Sequence, residues 1–132
     1  MNQEEVNEVV DNGHMIFCFD MDGTITELDC PSEIIDIKPK MDVINRIKYL
    51  YENGNIIIIY TGRPESKREV TAEWLHKYGV PWHEIHFDKP KAHIYIDDST
   101  IDIDDYMISP DFYDRKFLEI GNNINKQWRD KK

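Results

Sequence analysis

His14-Met15-Ile16-Phe17-Cys18-Phe19-Asp20-Met21-Asp22-Gly23-Thr24-Ile25 runs from an apolar segment straight into two carboxylates two residues apart. A continuous apolar stretch of strand length, His14 to Phe19, is the pattern of a buried parallel strand. Gly23 permits a sharp turn after it, and Thr24 can order that turn through its hydroxyl. If the strand continues past Phe19, alternation puts the side chains of Asp20 and Asp22 on one side.

The segments on either side extend this reading. Met41 to Glu52 carries Val43, Ile44, Ile47, Leu50 and Tyr51 at helical spacing, and Asn53-Gly54 closes it. Asn55 to Tyr60 holds four consecutive isoleucines, which predicts a strand covered on both faces, ended by Thr61-Gly62. Pro64 suits a first helical turn, and Ser66 to Tyr78 continues as a helix until Gly79 and Pro81. Glu84 to Phe87 and His93 to Ile96 read as two further strands, the second ending at Asp97-Asp98. Asn2 to Val10 reads as a short helix or lead-in, Phe117 to Ile120 as a final strand, and Asn123 to Arg129 as a terminal helix. Pro31 and Pro39 bracket a loop around Ile34-Ile35-Asp36-Ile37.

Strands alternating with helices predict an α/β protein, a three-layer α/β/α sandwich around a mostly parallel, Rossmann-like sheet. At 132 residues the chain fits one domain, with residues 1–13 as a lead-in segment and 107–132 as a C-terminal extension. Between Thr24 and Met41, and between Tyr78 and Lys89, there is room for loops but not for a cap domain. Ligands in such sheets bind beyond the carboxyl ends of the strands. The predicted strands end at Asp20, Thr61 and Asp97, so one cleft is expected to gather them.

The formal net charge of -10 repels nucleic acid and anionic membrane at long range. Nucleic acid is therefore disfavoured as a partner, though Arg63, Lys67 and Arg68, with Lys38 and Lys40, could form a basic rim. Cys18 lies in the apolar run and reads as a small core residue, while neither it nor Cys30 belongs to a CxxC pair. No disulfide is demanded, the N-terminus lacks the basic and apolar stretches of a signal peptide, and no apolar run spans a bilayer. The expectation is a cytoplasmic protein.

Asp20, Asp22 and Asp97-Asp98 would crowd three or four carboxylates at one sheet edge, where they repel one another. A divalent cation relieves that repulsion, and magnesium prefers few carboxylates, several waters and a substrate phosphate.

DMDGT followed by Ile25, Thr61 in YTGR, and Asp97-Asp98 after Ile94-Tyr95-Ile96 together resemble the haloacid dehalogenase superfamily of phosphohydrolases, over roughly residues 14–106. The set looks like a small, capless subgroup with bacterial and phage members. The resemblance implies that Asp20 attacks phosphorus and forms an aspartyl-phosphate. It implies that Asp22 protonates the leaving oxygen and then activates water. Magnesium would be held by Asp20, the Asp22 main-chain carbonyl and Asp97, with Asp98 assisting. Thr61 would hold phosphoryl oxygens, and Met21, Gly62, Arg63 and Lys91 would border the substrate. A lysine before the last strand would offset the shared negative charge, and the sequence offers Lys89 and Lys91, of which Lys89 is preferred. Asp102 is either an outer acid of a looser DxxxxD pattern or the acidic start of a helix.

These features predict a magnesium-dependent phosphomonoesterase for a small phosphorylated substrate, a sugar phosphate or nucleotide, or for a phosphorylated polymer end. A polynucleotide 3′-phosphatase is the alternative enzyme, and a phosphate- or protein-binding module without turnover the alternative of another class. A homo-oligomer in which a neighbour covers the cleft is compatible with the missing cap.

Overall fold

The computed structural model describes residues 1–27 and 37–130. The loop expected around Ile34-Ile35-Asp36 lies outside them, as does Cys30. In chain order the elements are helix α1 (Gln3–Asp11), strand β1 (Ile16–Asp20), helix α2 (Met41–Glu52), strand β2 (Ile56–Tyr60), a 3-10 turn (Glu65–Lys67), helix α3 (Arg68–Lys77), strand β3 (Glu84–His86), and helices α4 (Ile103–Ile108) and α5 (Pro110–Asp130). They group into two compact units, one from residues 17–93 and the other from residues 1–16 with 94–132.

The first unit is α/β. Its sheet is a small open one of three strands in the order β1-β2-β3. β2 and β3 pair in parallel, with Ile58 opposite Glu84, Ile59 opposite Ile85 and Tyr60 opposite His86. Parallel strands need a crossover, and α3 lies between them in sequence. On β2, Ile57 and Ile59 are fully buried while Ile56, Ile58 and Tyr60 are half-buried. The isoleucine run is therefore sealed on one face and only part-covered on the other.

α2 forms where its apolar spacing predicts. Val43, Ile44, Ile47 and Leu50 are all buried, and each such side chain contributes about 1.5–3 kcal/mol of transfer free energy. The helix stops at Asn53, whose side-chain amide donates to the Tyr49 carbonyl, and Gly54 takes the left-handed turn at φ 88°. α3 buries Thr71, Trp74 and Leu75, and the Trp74 indole N–H donates to the Ile37 carbonyl at 3.1 Å.

The other unit packs α1 against α5, so the lead-in and the C-terminal extension meet each other. Asn2 caps α1 by accepting from the Glu5 N–H at 2.8 Å. At Gly121 on α5 an added Cβ would stand 3.5 Å from the Met15 sulfur, close to ordinary contact.

Three local expectations are corrected. Phe117 to Ile120 is not a strand but part of α5. Tyr113, Phe117, Ile120 and Ile124 recur at helical spacing over about three turns, and that longer period outweighs a four-residue apolar window. Residues 93–96 form no strand, and Ile94 and Ile96 are 72% and 90% exposed. Apolar pattern supplies no hydrogen-bonding neighbour, and a strand exists only as part of a ladder. Cys18 is exposed rather than in the core. β1 is an edge strand with Phe17 and Phe19 buried, and alternation turns Cys18 the other way.

Candidate functional site

The carboxyl ends of β1 and β2 meet a short segment after β3. β1 delivers Asp20, and the chain then turns sharply. The Met21 carbonyl accepts from the N–H groups of Thr24, Ile25 and Thr26 at 2.8–3.1 Å. Gly23 sits at φ 84°, the left-handed conformation that glycine adopts without cost, and its N–H donates to the Thr26 hydroxyl at 3.1 Å. Met21, Ile25 and Thr26 are fully buried, so the turn is rooted in the core. Thr26 bridges Pro39 in antiparallel fashion, and the Lys40 ammonium donates to the Gly23 carbonyl at 3.2 Å.

From this turn the two carboxylates diverge. The Asp20 side chain is 36% exposed, and its Oδ1 stands 3.6 Å from the Lys89 ammonium. The Thr24 hydroxyl donates to its Oδ2 at 3.3 Å. Burial pushes the Asp20 carboxyl above the ordinary aspartate value, while Lys89, Thr24 and the Met21 N–H pull it back only in part. Asp22 is held differently. The Arg63 guanidinium grips it with both arms, Nε to Oδ2 at 2.9 Å and Nη2 to Oδ1 at 2.6 Å. The third arm, Nη1, donates to the Thr71 hydroxyl at 3.1 Å, and Arg63 is only 8% exposed.

The loop after β2 is cross-tied to the loop after β3. The Thr61 N–H donates to the His86 carbonyl, the Lys89 N–H to the Thr61 carbonyl, and the Asp88 N–H to the Arg63 carbonyl, all at 2.9–3.0 Å. Thr61 is fully buried, and its hydroxyl oxygen accepts from the Arg63 N–H at 3.2 Å. Asp88 adopts φ 58°, and its carboxylate accepts from the Glu65 N–H at 3.3 Å. Aspartate tolerates this conformation better than most side chains, because it can bond locally. The kink turns Lys89 back so that its ammonium lies 5.5 Å over the Tyr60 ring as well as beside Asp20.

The structure thus brings Asp20, Asp22, Thr61, Arg63 and Lys89 together. Met21 is present through its backbone, its side chain being buried. Gly62 is exposed between Thr61 and Arg63, and Lys91 is exposed two residues beyond Lys89. Arg63 directs three of its five guanidinium donors inward, to Asp22 and Thr71, and its side chain is 7% exposed.

Asp97 and Asp98 belong to the other unit, on exposed irregular chain. The Asp98 N–H donates to the Asp97 carboxylate at 2.6 Å. A side-chain hydrogen bond with Asp98, aided by the Asp98 and Ser99 N–H groups, holds the Asp97 carboxyl below the ordinary value. Asp102 is the N-cap of α4, accepting from the Asp104 N–H at 3.0 Å, which is the helix-start reading of that residue.

Sequence reasoning missed Thr71 and Asp88. Thr71 sits eight residues beyond Arg63 on a helix, where nothing local marks it. Asp88 could have been noticed as an acid immediately before the Lys-Pro pair.

Among the described residues no three acidic, histidine or cysteine side chains gather as a metal cluster. Asp20 offers a part-exposed carboxylate, and with the Asp22 side chain committed to Arg63, that residue's available donor is its main-chain carbonyl. Such a sparse oxygen set suits magnesium, which keeps waters and takes phosphate oxygens as further ligands.

No family model matches the chain, and no curated protein matches it. Among solved structures, a structural-genomics target from Vibrio cholerae is similar with a TM-score of 0.67 and 24% identity, over 80% of this chain and 97% of that one. That likeness establishes the fold. A chain of a Pnkp1/Rnl/Hen1 RNA repair complex aligns with a TM-score of 0.49 and 22% identity, over 61% of this chain and 27% of that one. No helix among the described residues is long and apolar enough to cross a membrane.

Proposed function

We propose that the chain is a phosphomonoesterase of the haloacid dehalogenase type, working with magnesium through an aspartyl-phosphate on Asp20. The observation that carries the reading is the pairing of two carboxylates in contrasting settings. Asp20 is part-exposed with Lys89 at 3.6 Å, and Asp22 is gripped by a buried arginine. Of the two acids at this turn, Asp20 is the more accessible to a substrate phosphorus, at 36% against 14% side-chain exposure.

In the first step an Asp20 carboxylate oxygen attacks phosphorus and the ester P–O bond breaks. The leaving oxygen takes a proton from Asp22. In the second step Asp22 takes a proton from water, whose oxygen attacks phosphorus. The Asp20–phosphorus bond breaks, orthophosphate leaves, and Asp20 is restored as carboxylate. Lys89 offsets the negative charge that Asp20 and the phosphoryl group share. The Thr61 hydroxyl hydrogen and the N–H of exposed Gly62 are the donors proposed to orient phosphoryl oxygens. Asp20 and the Asp22 main-chain carbonyl are the groups of the α/β unit proposed to hold magnesium. When bound, that ion neutralises phosphoryl charge during transfer.

Phosphate release from a generic aryl phosphate tests this, comparing the native chain with Asp20→Asn in magnesium. Turnover lost in the variant is expected. Equal turnover in both, or none from the native chain across sugar phosphates, nucleotides and 3′-phosphorylated oligonucleotides, overturns the reading. The same panel separates a small-molecule substrate from a polynucleotide end.

A further inference from the structure

We infer that Arg63 and Thr71 form a positioning chain for Asp22, and that Arg63 does not bind the phosphoryl group. This deepens the proposed phosphatase reading and rests on it.

A guanidinium carries five N–H donors in a rigid plane. In Arg63 the two donors on the edge facing Asp22 are matched to the two carboxylate oxygens, at 2.9 and 2.6 Å. That fork fixes the plane of the carboxylate as well as its distance, which a single bond cannot do. The guanidinium is fixed in turn by the Thr71 hydroxyl at 3.1 Å, and Thr71 is fully buried on α3. The arginine backbone is also tied at both ends, its N–H to the Thr61 hydroxyl and its carbonyl from the Asp88 N–H. A substrate-binding arginine must present its donors outward, whereas this side chain is 7% exposed.

The consequence is that α3 controls the orientation of Asp22 from a residue that touches no substrate. A carboxyl that must deliver and recover a proton depends on alignment to a fraction of an ångström. Thr71 therefore acts on the rate without acting on binding.

The experiment measures kcat and KM on an aryl phosphate with magnesium, and inhibition by orthophosphate, for Arg63→Met, Arg63→Lys, Thr71→Val and Thr71→Ser. The expectation for Arg63→Met is a kcat lower by about a hundredfold. KM and the orthophosphate inhibition constant should stay within about twofold of the native chain, because uniform binding is not touched. Lysine cannot form the fork and should rescue little. Thr71→Val should lower kcat by roughly five- to tenfold at unchanged KM, and Thr71→Ser should restore it, since serine keeps the acceptor. In an Asp22→Asn background Arg63→Met should add less than about twofold, because both changes act on one group.

A tenfold rise in KM or in the orthophosphate constant for Arg63→Met, with kcat intact, would mean that Arg63 binds substrate and would overturn the inference. Multiplying losses in the double variant would overturn it too. Circular dichroism identifies any variant that fails to fold; if Arg63→Met does, Arg63→Lys and Thr71→Val carry the test, with Thr71→Ser as the control. If the native chain turns over nothing, the phosphatase reading fails separately. The chain from Thr71 to Asp22 is then judged from the carboxyl 13C resonance of Asp22. A shift on Thr71→Val supports the coupling, and an unmoved resonance overturns it.

Discussion

The acidic pair at Asp20 and Asp22 and the acidic pair at Asp97 and Asp98 look alike in sequence, yet they occupy opposite kinds of surroundings. Behind the first lies a core of fully buried Met21, Ile25, Ile57 and Ile59, and Thr24, Lys89 and Arg63 hold its oxygens. The second stands on irregular chain after Ile94 and Ile96, both strongly exposed, and its bonds are to immediate neighbours. The difference shows what makes a carboxylate chemically distinct. Burial moves the Asp20 carboxyl up, and a buried arginine orients Asp22. An acid on solvated chain has only its sequence neighbours to define it.

The sharpest break between the two pairs should appear in turnover. Asp20→Asn is expected to lower kcat by ~10⁴-fold or more, as loss of a nucleophile does. Asp97→Asn removes a carboxylate on exposed irregular chain and should lower kcat far less. Steady-state rates of the two variants side by side check this, and an equal loss at both positions would erase the contrast between the pairs.

Stability should divide along the same line. Ile57→Ala removes a fully buried side chain and should cost about 2–5 kcal/mol in urea unfolding. Ile96→Ala, at 90% exposure, should change stability by no more than about 0.5 kcal/mol. An equal loss at both positions would show that residues 93–96 are packed in solution.

The two lysines after β3 extend the contrast to cations. Lys89→Ala should reduce kcat by ~10²-fold, and Lys91→Ala by less than about twofold, because only Lys89 stands beside Asp20. Similar losses for both would move the charge-offsetting role away from Lys89.

The smallest effect is a stabilising one. The Asp20 carboxyl is raised in the folded protein, so its ionised form is disfavoured there relative to the unfolded chain. That penalty is present above the raised value and disappears as pH falls through it toward the ordinary aspartate value. Metal-free Asp20→Asn should therefore melt above the native chain at neutral pH, and the gain should vanish on acidification. A gain that grows toward acid would contradict the assigned direction.

Much of this was legible in the chain itself. The period of Val43, Ile44, Ile47 and Leu50 set α2 over Met41–Glu52, because a helix is specified by contacts three and four residues apart. The isoleucine run announced β2, and Asp20 and Asp22 announced a polar strand end. Phe117 to Ile120 misled because four apolar residues fit a strand as well as a helix, and only the longer repeat in α5 separates the two.

Tertiary structure alone decided which partner each charge received. Lys89 reaches Asp20 because the chain kinks at Asp88, a backbone choice that no spacing encodes. Arg63, 41 residues from Asp22 in sequence, turns inward because Thr71 on another element supplies its third acceptor. Local pattern fixes elements through short-range sterics and burial. The pairing of charges depends on which surfaces pack, and that is settled only when the strands and helices come together.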